Sequence, residues 1–140
     1  MAIKTTTIAV DLMGGDNSPY KTIKGTEIFS HQNNQVKFIL LGEQKKIEEI
    51  FNSQNIKINN YEIINTTDNI KNDDSTNIIL RKKKESSIYK GLSLVKDLSA
   101  SGFVSAGNTA ALMILSRLKL GMIEGIDRPA ICSIIPNKKD

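Results

Sequence analysis

The chain has no tryptophan, one cysteine (Cys132), one histidine (His31), three prolines and only 5% aromatic residues in 140 positions. Each shortage removes a class of function. One thiol forms no intramolecular disulfide, and one Cys with one His falls short of the roughly four ligands a structural zinc site needs. A single His leaves no basis for a Ser-His-Asp triad. Sparse aromatics supply little for stacking single-stranded nucleic acid. No run approaches the ~18 apolar residues of a spanning helix. The first residues also lack the long apolar stretch and small-residue cleavage site of an export signal. A cytoplasmic chain in a reducing compartment, at most peripheral to the inner membrane, is the expectation, and no metal or cofactor is assigned.

What remains is ordinary for a folded chain: 39% hydrophobic and 24% charged residues, enough for one core at a domain size of about 100–150 residues. A net charge of +4 favours acidic or phosphorylated partners without choosing among them. Along the chain, β-branched runs alternate with helical periodicity. Thr7–Met13 predicts a buried strand entering a Gly14-Gly15 turn. Asp16-Asn17-Ser18-Pro19 predicts a capped helix start, and Ile23, Ile28 and Phe29 supply its apolar face. Val36–Leu41 predicts a second strand, Glu43–Phe51 a helix, and Ile56–Ile64 a third strand. The polar stretch 72–87 predicts a loop or short helix. Ser86 or Ser87 caps a helix with Leu92, Leu94, Val95 and Leu98 toward the core. Gly102–Ala106 predicts a strand and Ala110–Lys119 a helix, and Ala130–Ile135 a last buried strand containing Cys132. The order implies an α/β fold with a mostly parallel sheet.

Two turns share one grammar. Asp11-Leu-Met-Gly-Gly-Asp-Asn17 and Ser105-Ala-Gly-Asn-Thr109 each follow a strand with glycine and open a helix. In a parallel sheet both fall at the carboxyl edge, where open α/β folds place ligands. Glycine lets backbone N–H groups approach an anion, and a helix N-terminus favours negative charge. The alternative for each is a tight turn with a capping side chain. Asp11 and Asp16 repel phosphate unless they orient a cation, hold a Lys or Arg, or accept a phosphate proton. Arg81-Lys-Lys-Lys84 is either a solvated face or an anion contact, and Arg128 either an anion ligand or Asp127's partner. His31 reads as a surface residue at a helix end.

With these residues assembled, the chain resembles the bacterial phosphate acyltransferase family called PlsX. The resemblance is carried by Ile8-Ala-Val-Asp-Leu-Met-Gly-Gly-Asp-Asn-Ser-Pro19, Leu80-Arg-Lys-Lys-Lys-Glu-Ser-Ser87, Gly91-Leu-Ser-Leu-Val-Lys96, Val104-Ser-Ala-Gly-Asn-Thr109 and Gly125-Ile-Asp-Arg-Pro-Ala130. It departs from the family pattern at Leu12, Asn65, Ser75-Thr76, Ser101 and Ala110. The resemblance implies a Rossmann-like three-layer α/β/α fold related to isopropylmalate dehydrogenase. It implies transfer of a fatty acyl group from acyl carrier protein to inorganic phosphate, giving acyl phosphate for phospholipid synthesis. It also implies a homodimer working beside a glycerol-3-phosphate acyltransferase at the membrane. By motif match, Gly14, Gly15, Asp16, Asn17 and Gly107 surround phosphate or acyl phosphate. Ser105, Asn108 and Thr109 are catalytic donors, and Arg81, Lys82 and Lys83 contact phosphate or the carrier protein. The chain is short for the family. Residues 1–140 are therefore expected to be the N-terminal part of its domain with the remainder absent, or a catalytically incomplete piece that keeps an anion or carrier surface.

Overall fold

Side chains alternate faces along a strand with a period of two, so a strand buried on both faces reads as continuously apolar. The computed structural model, which describes residues 6–71 and 73–132, shows this in β1 (Thr6–Asp11) and β2 (Val36–Gly42). They pair in parallel from Thr6 opposite Val36 to Asp11 opposite Leu41. β3 (Tyr61–Asn65) lies beyond β2, and β4 (Gly102–Val104) pairs with the other edge of β1. The sheet order is β3-β2-β1-β4, all parallel. The helices are α1 (Tyr20–Gln32), α2 (Gln44–Gln54), α3 (Thr76–Lys82), α4 (Ser87–Lys96) and α5 (Thr109–Leu120), with a 3-10 turn at Lys83–Glu85.

Ile8, Val10, Leu12, Phe38, Leu40 and Ile63 pack with Ile23 of α1 and Ile47 of α2. Ala9, Ile39, Leu41 and Ile64 face the other way, toward Leu94 and Val95 of α4. Phe103 of β4 joins that cluster to a second one built from Ile79, Ile88, Leu92, Ala111 and Leu115. Helices thus cover both faces, giving the three-layer Rossmann-like α/β architecture that the sequence implies. Gly91 makes the α4 contact possible, because a Cβ there would overlap the Phe103 ring. Right-handed connections put α1 and α2 on one face as the chain steps β1-β2-β3, and α4 on the opposite face as it returns to β4. The topology therefore reverses between β1 and β4, the position where open α/β sheets form a ligand crevice.

Several boundaries differ from expectation. The third strand begins only at Tyr61, because Asn55 and Asn60 hold positive φ of 49° and 53° and break extended pairing. Ile56 and Ile58 are still buried, in the core beside α1 and α2. Segment 72–87 contains α3 and the 3-10 turn. α1 starts without a side-chain cap, because its N-cap residue is Pro19; the Ser18 hydroxyl donates to the carbonyl of Gly14. Ser86 does cap α4, accepting from the Tyr89 amide at 3.2 Å. Leu98 sits just past that helix at φ 58° and is 90% exposed, so it is not a core contact. Ile28 is likewise exposed on the outer side of α1. Of the expected last strand, Ala130, Ile131 and Cys132 are exposed and in no strand, and residues 133–135 lie outside the described residues. Apolar content alone does not make a strand, which needs a ladder partner, and these three residues have none among the described residues.

Candidate functional site

The two glycine turns meet at the carboxyl ends of β1 and β4, and Asp11 joins them. One oxygen, Oδ1, accepts from the amides of Met13 (2.9 Å) and Gly14 (3.1 Å). The other, Oδ2, accepts from the Ser105 hydroxyl at 2.8 Å. Ser105 Oγ in turn accepts from the Gly107 amide at 3.1 Å. A continuous path of hydrogen bonds therefore runs from the first turn into the second. This answers the question posed by a carboxylate at a candidate anion site. Asp11 is buried and holds two backbone amides and a serine, with no Lys or Arg among the described residues paired to it.

The glycines set how closely the turns approach. A Cβ on Gly14 would come within 2.6 Å of the Gly107 nitrogen and 2.7 Å of Asp11 Oδ2, so any larger residue would force the turns apart. Gly15 adopts φ +86° beside Ala106, in a region that L side chains rarely occupy. Thr22 of α1 secures the first turn from below, its hydroxyl bridging the carbonyls of Leu12 (2.8 Å) and Pro19 (2.9 Å).

The second turn is held by Asn108, which is buried and caps α5. Its Oδ1 accepts from the Ala111 amide at 2.9 Å, and its Nδ2 donates to the Lys71 carbonyl at 2.9 Å. The second bond brings the segment ahead of α3 to the site. Thr109, Asp16 and Asn17 lie around the rim, all three exposed.

The candidate residues thus separate by what their groups are doing. The amides of Gly14 and Gly107 are engaged within the turns, as are the Ser105 hydroxyl and the Asn108 side chain. The amides of Gly15, Asp16 and Asn17 meet no acceptor among the described residues. They point to the surface donors an anion would use, next to the N-terminus of α5. Arg81 is exposed on α3. The side chains of Lys82 and Lys83 lie outside the described residues. Asp127 and Arg128 are both exposed and form no ion pair with each other. His31 ends α1 on the surface, its Nε2 2.9 Å from the Lys57 carbonyl. Among the described residues no cluster of three His, Cys, Asp or Glu is arranged for a metal, and no helix is long and apolar enough to cross a membrane.

Sequence reasoning missed the joining role of Asp11 and the parts played by Thr22 and Lys71. A signal for Asp11 was present: an Asp at a strand end ahead of a turn commonly hydrogen-bonds backbone amides two or three positions on. The Lys71 contact has no local signature.

Residues 6–140 match the model of a family described as "Fatty acid synthesis protein". A phosphate acyltransferase of Clostridioides difficile (strain 630) is 40% identical over 132 residues, covering 94% of this chain and 38% of that protein. One from Janthinobacterium sp. (strain Marseille) is 41% identical over 137 residues, covering 97% and 38%. One from Pelagibacter ubique is 39% identical over 133 residues, covering 95% and 39%. The chain therefore spans less than two-fifths of the length of these curated relatives.

Proposed function

The chain belongs to the fatty acid synthesis protein family, and on that premise we propose that it serves a phosphate acyltransferase reaction, moving a fatty acyl group from acyl carrier protein to inorganic phosphate. A phosphate oxygen attacks the thioester carbonyl, a C–O bond forms, the C–S bond breaks and the carrier thiolate leaves. Phosphate is already nucleophilic and a thiolate is a good leaving group, so the reaction needs positioning and oxyanion donors more than a strong base. The observation that carries this reading is the hydrogen-bonded union of the two turns through Asp11 and Ser105 at the reversal of strand order.

In this reading Gly15, Asp16 and Asn17 present amides to the phosphate. Gly14 and Gly107 let the turns approach, while Ser105 and Asn108 fix their shape. Thr109 offers a hydroxyl at the rim. Arg81, Lys82 and Lys83 are assigned to contact with the acidic carrier protein or the phosphate. A homodimer, and a peripheral place at the inner membrane beside the enzyme that consumes acyl phosphate, belong to the same proposal. So does the assignment of residues 1–140 to the N-terminal part of the family's domain.

The test is to incubate the purified chain with palmitoyl carrier protein and phosphate, alone and together with the part of the Clostridioides difficile enzyme it does not cover, and to measure palmitoyl phosphate. Asn108→Ala and Gly15→Val should each lower product. Unchanged formation in both variants would remove the site assignment. A second reading is binding without turnover, in keeping with the engagement of the Ser105 hydroxyl and the Asn108 side chain within the turns. Phosphate binding with no product under either condition would select it.

A further inference from the structure

Among the described residues the sheet is covered unevenly, and its barer part opens beside the two turns. On the face that carries α1 and α2, a cavity of about 410 Å³ runs between α1 and the β1–β4 pair, walled by Ile8, Val10, Phe29, Phe38 and Val104. Parallel sheets usually have both faces buried, yet Val104 is 57% and Phe29 48% exposed. One end of the cavity is formed by Asp11 and Ala106, so it adjoins the first turn on one side and the second on the other.

The walls offer almost nothing to a polar ligand. Thr22 and Thr26 also line the cavity, but their hydroxyls donate to the carbonyls of Leu12 and Thr22, each at 2.8 Å. Gly25 is the second observation. It stands mid-way along α1, where glycine disfavours a helix relative to alanine. A Cβ at Gly25 would meet nothing within 4 Å, so packing does not require glycine. Gly25 lines the cavity, and its lack of a side chain keeps that space open. Departures from local preference without a packing reason concentrate at functional positions.

We propose that this cavity holds the hydrocarbon tail of the acyl group, with the reacting end at Asp11 and Ala106 beside the turns. This rests on the phosphate acyltransferase reading and adds the place where the chain lies. The cavity's continuity with the turns favours a ligand whose head sits there, over a second copy or another polypeptide covering the sheet. Its volume lies in the range of small-molecule sites.

The probes are ethyl, octyl, dodecyl and hexadecyl phosphate, with dodecanol and hexadecanol as tails lacking the phosphate, titrated against the intact chain by calorimetry. Affinity should climb about fourfold per added methylene until the cavity is filled, then level off. In Gly25→Leu the levelling should come at a shorter tail, with hexadecyl phosphate weakened about tenfold or more and ethyl phosphate unchanged. The melting temperature should hold or rise, because leucine is the better helix former. Val104→Ser provides a second variant that lowers the gain per methylene without filling the space.

An identical length profile in wild type and both variants would overturn the proposal. So would ethyl phosphate binding with no gain from longer tails. A dimer in sedimentation that Gly25→Leu dissociates, with tail binding unaffected, would also overturn it by assigning the face to a second copy. The alcohols separate the two readings. A length-dependent gain for alcohols with no binding of ethyl phosphate would leave the cavity standing and remove the phosphate site.

Discussion

The two turns perform one task by different means. The turn after β4 is held locally, by an asparagine that caps the helix it introduces. The turn after β1 introduces a helix with no side-chain cap, and its shape comes from Asp11, which also reaches across to Ser105. The Asp11–Ser105 bond is common to both turns, so the difference lies in the helix entry, capped by a side chain after β4 and uncapped after β1. The difference shows why the first turn keeps amides unengaged. A cap occupies the donors of a helix N-terminus, whereas Asp11 shapes the turn from behind and leaves those ahead of it open.

The largest effect should come from removing the shared element. Asp11→Ala leaves two amides and a hydroxyl without their acceptor and should cost about 3 kcal/mol, a melting-temperature drop on the order of 10 °C. Hydrogen exchange should quicken in both turns, and a response confined to Met13 and Gly14 would show that they are independent. Asp11→Asn, which keeps one acceptor oxygen, should cost less than half as much. Next comes Gly91→Ala, which drives a methyl into Phe103 and displaces β4 under the second turn. The expected loss is about 2 kcal/mol by urea unfolding, and Phe103→Leu in the same chain should recover part of it.

Asn108→Ala removes a cap and should cost about 1 kcal/mol. Amide exchange should rise in α5 and near Lys71 while Met13 and Gly14 stay protected; loss of protection there would erase the distinction between the turns. The smallest effect lies on α1, away from both. Glu27 is held below the usual carboxylate range, chiefly by its hydrogen bond from Lys24 and then by the Lys57 amide at 2.7 Å. A lowered folded pKa means that its contribution is complete above the ordinary carboxylate value and is lost as pH falls through the lowered one. The urea midpoint of the wild type should therefore fall more than that of Glu27→Gln between about pH 5 and pH 3. An equal fall in the two proteins would remove Glu27 from the acid response.

Much of this architecture was legible in the chain itself. The β-branched run from Thr7, the glycines after it and the Asn108 start of α5 are local signals, and local signals set the element order. The two turns could be paired from sequence because a parallel sheet brings the ends of its strands to one edge. Asp11 was harder to read: its type is visible, but its partner Ser105 is 94 residues away. Leu98 and Ile131 mislead for the opposite reason, since apolar character says what a residue favours and not whether anything arrives to cover it. Gly25 carries no turn or cap signal, and its meaning appears only when the space beside it is seen.

The 94-residue span between Asp11 and Ser105 also bears on how the chain folds. Contacts of such separation require a large loop to close and tend to form late, after the local helices and the adjoining β1–β2 pair. Until β4 docks, the turn after β1 has neither its serine nor the close approach of Gly107. A partly folded chain would carry most of its helices while the two turns stay unjoined, so the candidate site is assembled when β4 docks rather than accumulating along the way.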